Sequence, residues 1–182
     1  NIDSSSENTR ISDWLAEHIS ASEYGSTSSG DGGGAAYIWL GGDDRDAEGD
    51  WLWQRSDVSG YPKLFWRGDY GGAGQGLFTN WGNTEGTQNE PDDYQGSQDA
   101  AAIALETWPV NASFELGTAG QWNDVNVTNG LFYVVEFDTV EGSNSSSGSS
   151  SGSGPGVPGT PADGEPVGGC DSNFVTLSKT TI

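Results

Sequence analysis

Residues 87–99 read TQNEPDDYQGSQD, with Glu90, Asp92, Asp93 and Asp99 gathered around Pro91 and with amides such as Gln98 among them. Every one of these side chains offers oxygen. Oxygen is what a hard cation takes, and Ca2+ takes six to eight such ligands. The stretch therefore reads either as a solvated acidic turn or as a calcium site.

Other chemistries find less support. The chain has one histidine, His18, and one cysteine, Cys170. The usual nucleophile–base pairs have no candidates, and Cys170 can form no internal disulfide. Pairs of carboxylates can perform glycosidase chemistry, but here they are better explained as cation ligands, so the chain reads as a non-enzyme. GGAGQG (residues 71–76) does not open a helix after a strand and is no phosphate loop. GGDDRDAEGD (residues 41–50) lacks the residue order of an EF-hand and reads as a solvated turn. A net charge of −21 repels nucleic acid and anionic membranes and favours cations. No apolar run approaches the roughly 18 residues of a membrane span. No signal peptide opens the chain, which reads as an excised or mature fragment.

The elements that must hold such a site are short. Hydrophobic residues make up 32% of the chain, but 8 Trp, 6 Tyr and 6 Phe allow a modest core built on aromatics. Residues 4–19 predict a helix, with Ser4 and Glu7 at capping-box spacing and Ile11, Trp14, Leu15 and Ile19 on one face. His18 flanks that stripe as an ordinary surface histidine. Residues 20–35 are a Ser/Gly-rich loop. AAYIWL, DWLWQ, DAAAIALE, GQWNDV and LFYVVEF read as strands, and residues 56–99 as one long aromatic-rich loop. Trp51, Trp53, Trp122, Tyr133, Leu40 and Ile103 are the expected core. The organisation is one domain over residues 1–140, a Ser/Gly/Pro-rich linker over 141–170, and a strand-like tail over 171–182.

The order of Tyr37-Ile38-Trp39-Leu40, Glu48-Gly49-Asp50-Trp51-Leu52-Trp53, Glu90-Pro91-Asp92, Trp122-Asn123-Asp124 and Tyr133-Val134-Val135-Glu136 resembles the C-type lectin-like domain. The likeness spans residues 1–138. The chain departs from the family at Trp39, where glycine is usual, and at Ala100 and Val135, where cysteines often sit. In this it resembles the cysteine-poor forms of bacterial surface and adhesin proteins. The family's first strand and helix would precede residue 1.

The resemblance implies an α+β, C-type lectin-like fold with short strands, at least one N-terminal helix and a long calcium-binding loop region. It implies a cis Glu90–Pro91 bond and a Ca2+ ion held by Glu90, Asp92, Gln98, Asn123 and Asp124. A second metal would engage Asp93 and Asp99. It also implies a glycan ligand at Glu90, Asp92, Tyr94, Gln98, Asn123 and Asp124, with Tyr94 free to stack on a sugar. With Glu90 and Asp92 as acceptors and Gln98 and Asn123 as donors, the expected ligand pairs a hydroxyl with a carboxylate or carbonyl oxygen, as in an acidic sugar or a peptide C-terminus. The function expected is calcium-dependent carbohydrate binding by a secreted or cell-surface adhesin. The alternative is a protein-binding or filament-forming module in which calcium only stiffens the loop. The tail, Phe174–Ile182, is expected to pair with the strand at 131–137, in its own domain or by self-association with another copy. Asn111, Asn126 and Asn144 begin glycosylation sequons.

Overall fold

The computed structural model describes residues 1–19, 26–54, 59–136 and, as strand backbone, 174–180. The expected linker, 141–170, and Cys170 lie outside the described residues. The chain divides into two compact units, Asn1–Val134 with Leu177–Ile182, and Val135–Thr176. The helix and nearly all of the strands belong to the first.

Helix α1, Ser5–His18, begins as its sequence dictates. Ser4 is the N-cap, and its hydroxyl accepts the Glu7 N–H at 3.2 Å. The Glu7 carboxylate reaches one residue further back than a capping box requires, accepting from the Asp3 N–H at 2.6 Å. Ile11, Leu15 and Ile19 are buried. Trp14 is half-buried and stacks on His18. Asn8 extends the buried stripe: it donates to Gly120 O at 2.8 Å and accepts from Trp122 Nε1 at 2.7 Å. These two bonds fasten the helix to the strand that carries Asn123 and Asp124.

The rest is mostly β. The strands are β1 Tyr37–Asp43, β2 Asp50–Trp53, β3 Lys63–Arg67, β4 Ala73–Gly74, β5 Asn83–Thr84, β6 Thr87–Gln88, β7 Ala100–Ala104, β8 Trp122–Val125, β9 Leu131–Glu136 and β10 Phe174–Thr180. Strand β1 is the hub. Antiparallel β7 runs along one edge of it, and the other edge is shared by parallel β9 at Ile38–Trp39 and antiparallel β2 at Gly42–Asp43. Beyond β2 the sheet continues through β3 to β4, while β7 also carries β8. The tail strand β10 lies next to β9 in the chain's own sheet. The long segment after residue 56 is thus less irregular than expected, since β3 to β6 fall within it.

Both faces of the sheet are covered, which explains why all five residues of β7 are buried. One face packs Tyr37, Trp39, Ala102, Trp108, Val125 and Leu131. The other is an aromatic cluster in which Trp53, Phe65, Phe78 and Trp81 surround Trp122, with ring centroids 5.6 to 6.2 Å from it. Gly42 is required here: a Cβ at that position would lie 2.9 Å from the Phe65 ring. Trp51, Trp53, Trp122 and Ile103 are buried as expected. Leu40 and Tyr133 are only half-buried.

Candidate functional site

Strand β8 sets the geometry. Its residues Asn123 and Asp124 face Ala102 and Ala101 across the β7 ladder, where small partners leave room for polar side chains. The Asp124 carboxylate is fully buried and accepts the Asp92 and Asp93 N–H groups at 3.2 and 2.8 Å. This draws the 90–93 turn over the strand. The Glu90–Pro91 bond is cis, as the resemblance implied. Glu90 is 2% exposed. Oxygen atoms of Glu90, Asp92 and Asp124 lie within 4.8 Å of one another. Oxygens on opposite sides of one Ca2+ ion stand about 5 Å apart, twice the metal–oxygen distance.

Two atoms at this cluster have no hydrogen-bond partner, Glu90 Oε2 and Asn123 Oδ1. Buried polar atoms left bare cost about 1–3 kcal/mol each. The Asn123 orientation follows from its neighbours. The single Tyr37 proton goes to Gly32 O at 3.0 Å, so the phenol oxygen can only accept, and Asn123 must present its amide N–H to it, at 2.9 Å. The bare atom is therefore the carbonyl oxygen. Glu90, Asp92 and Asn123 line a cavity of about 190 Å3.

Trp108 was not anticipated as a site residue. Its indole N–H donates to Glu90 Oε1 at 3.0 Å and leaves Oε2 as the free oxygen. The ring is gripped by Gly117, where a Cβ would fall 2.1 Å from it. The sequence around Trp108 carries no pattern that separates this role from plain packing.

Gln98 is buried but does not line the cavity. Its Oε1 accepts the Tyr94 N–H at 2.6 Å, and its amide donates to Asp31 Oδ1 at 3.0 Å and to Asp31 O at 3.1 Å. Asp31 also accepts from the Asn126 N–H at 3.1 Å and from the Asn129 amide. The Ser/Gly-rich loop is thereby braced against the 87–99 segment and against the turn after β8. A glutamate at position 98 would set two carboxylates against each other. Tyr94 is 51% exposed and borders the cavity.

Within residues 41–50, positions 45–48 are exposed as a solvated turn requires, but a second acidic cluster forms around Asp44. Asp44 is 1% exposed, and its carboxylate meets those of Glu48 and Asp99 within 4.8 Å. Asp44 Oδ2 accepts from the Gly49 N–H at 2.8 Å, while Oδ1 is bare. The negative charge of Asp93 acts on both Asp44 and Glu48. Of the two residues expected at a second metal, the structure brings Asp99 to Asp44 and Glu48, while Asp93 is not part of the converging group. The described ion pairs, Arg45–Asp43 and Arg67–Asp50, neutralise neither cluster.

No protein-family model and no curated protein matches the chain. Among solved structures it is similar to an EPNH mutant of CEL-I, at 17% identity and a TM-score of 0.38, over 69% of this chain and 57% of that one.

Carboxylates crowded without a cation hold their protons. Burial, then the charges of Asp124 and Asp92, pushes Glu90 well above its usual range, against the Trp108 hydrogen bond. Burial, then Asp92, raises Asp124. Burial first also raises Asp92 and Glu48, and it lifts Asp44 from 3.8 to about 7. The folded chain therefore retains protons at a pH where the unfolded chain has released them. Stability falls wherever the folded state binds more protons and pH rises. In chelator, the melting temperature should drop as pH climbs from about 4, through the folded value of Asp44 at about 7, and keep falling above it, because Glu90 and Asp124 are raised as well. Thermal scans between pH 5 and pH 8 in about 0.5 M salt, which screens general self-repulsion, should show the fall, and calcium at pH 8 should reverse it. A flat profile in chelator would contradict the crowding.

Proposed function

We propose that the domain is a C-type lectin-like module that binds Ca2+ and, through it, hydroxyls of a glycan. One observation carries this reading: three carboxylates converge within 4.8 Å beside two buried, bare oxygens, Glu90 Oε2 and Asn123 Oδ1. A divalent cation supplies the missing partners of both. Glu90, Asp92, Asn123 and Asp124 would hold it, and the open cavity leaves coordination positions for ligand oxygens. Asp44, Glu48 and Asp99, whose oxygens converge within 4.8 Å, would hold a second ion that ties the 44–49 turn to the main loop.

The ligand expectation changes with the geometry. The acidic-sugar and peptide-terminus reading needed Gln98 and Asn123 as donors, but Gln98 spends both amide protons on Asp31 and does not line the cavity, and Asn123 commits one of its two to Tyr37. Toward the cavity, acceptors from Glu90, Asp92 and the Asn123 carbonyl outnumber the one amide proton left. A hydroxyl, which can coordinate the metal and donate its proton to Glu90 or Asp92, now fits best. A neutral vicinal diol is the favoured ligand. No catalytic role is proposed for any of these groups, and a secreted or cell-surface adhesin is the proposed setting.

A glycan array probed in calcium and in chelator tests the reading. Calcium-dependent binding to neutral glycans is expected. Calcium binding with no glycan bound would favour the protein-binding module, with the ion only stiffening the loop.

A further inference from the structure

The cavity beside Glu90 has a mixed lining. Glu90, Asp92 and Asn123 contribute polar groups; Trp108, Pro109, Phe114 and Leu116 contribute apolar ones. Phe114 is 59% exposed. The large hydrophobics left exposed among the described residues are Tyr70, Tyr94, Val110 and Phe114. Two of these four line this cavity, and Val110 follows its Pro109. A ring such as Phe114 left in water forgoes the gain of burial, and clustered exposed apolar groups mark binding surfaces.

The segment that presents Phe114 is anchored on both sides. Leu116 N–H donates to Trp108 O at 2.8 Å, and Val110 N–H donates to Gly33 O at 2.8 Å. The Thr84 hydroxyl donates to Glu115 O at 2.8 Å, next to the ring's own residue. The backbone on either side of Phe114 is thus held beside the cavity that this residue lines. At about 190 Å3, the space falls below the roughly 300–1,000 Å3 of drug-sized sites and suits one sugar ring with a small appendage.

We propose that Phe114 is a specificity-determining residue whose ring receives an apolar substituent on the bound saccharide, next to the hydroxyls that face the acidic cluster. This rests on the calcium-dependent glycan reading. The ligand class is a saccharide bearing an aryl, acyl or deoxy group, rather than a uniformly hydroxylated one.

Methyl and p-nitrophenyl glycosides of mannose, galactose and fucose, titrated calorimetrically in calcium, test it. For the sugar that binds, the aryl glycoside should bind at least about ten-fold tighter, a difference of roughly 1.4 kcal/mol. Phe114→Ala should bring the two within about two-fold, Phe114→Tyr should keep the preference, and both should retain the calcium-induced rise in melting temperature. Equal affinities in the native chain, or an undiminished preference in Phe114→Ala, would overturn the subsite while leaving the glycan reading intact. No binding of any glycoside would overturn both.

Discussion

Replacing Glu90 with glutamine should abolish most of the calcium-dependent gain in stability and at the same time raise the stability of the metal-free chain. The two effects have opposite signs because the same carboxylate that would hold the ion is a liability without it. Glu90 is 2% exposed and stands among Asp92 and Asp124, and among the described residues neither ion pair reaches them. Glutamine keeps an oxygen for the Trp108 indole, now at 3.0 Å from Glu90 Oε1. Its amide would stand where Oε2 is now bare, and it can donate to the neighbouring carboxylates. In chelator at pH 7 and above, the variant should melt several degrees higher, since each pH unit by which Glu90 is raised represents about 1.4 kcal/mol. In calcium it should gain little, because one of the converging charges is gone, and metal affinity should fall at least about 100-fold. Paired thermal scans of the two proteins, with and without calcium, check this. A Glu90→Gln variant that keeps the full calcium response would remove Glu90 from the site.

Trp122→Ala should be the most damaging single change. The ring is fully buried and meets Trp53, Phe65, Phe78 and Trp81, while its indole N–H donates to Asn8. Deleting such a side chain costs about 3–5 kcal/mol. Asn8 would also lose one of the two bonds that fasten α1 to β8. For a domain of this size, that loss lowers the melting temperature by roughly 10–20 °C. The effect should reach the site, since Asn123 and Asp124 are the next residues of the same strand. Trp122→Phe keeps much of the ring contact and should cost less than half as much. Denaturant titration of both variants measures the difference; an alanine variant as stable as the native chain would mean that the aromatic cluster does not anchor β8.

The parts of the molecule visible in the sequence are those governed by local rules. Ser4 and Glu7 announce the start of α1, and Ile11, Leu15 and Ile19 its buried face. Alternating Trp51 and Trp53 announce β2, and the apolar runs announce β1, β7 and β9. Glu90, Asp92 and Asp124 were legible as converging carboxylates because their motifs are short and ordered. What stayed hidden depends on contacts distant in sequence. Strand β3, with Leu64, Phe65 and Trp66, was absorbed into a long loop because its pairing partner β2 lies across an intervening turn. Asp44 reads as solvated in sequence because the residue it meets, Asp99, whose carbonyl accepts its N–H at 3.2 Å, is distant in the chain. Gln98 was read as a ligand because residue type alone does not separate a ligand from a brace; its partner Asp31 sits 67 residues away. Trp108 became part of the site only once Gly117 and Glu90 were folded against it.

The carboxylates that converge around Glu90 and Asp44 are proposed to be calcium ligands. Calorimetric titration of the metal-free chain with calcium, followed by melting with calcium in excess and in chelator, tests this most directly. The account predicts saturable binding of up to two ions. At free calcium about 100 times the dissociation constant, each site adds about 2.7 kcal/mol, a rise in melting temperature of roughly 5–10 °C per site. No heat of binding, together with the same melting temperature in calcium and in chelator, would contradict it.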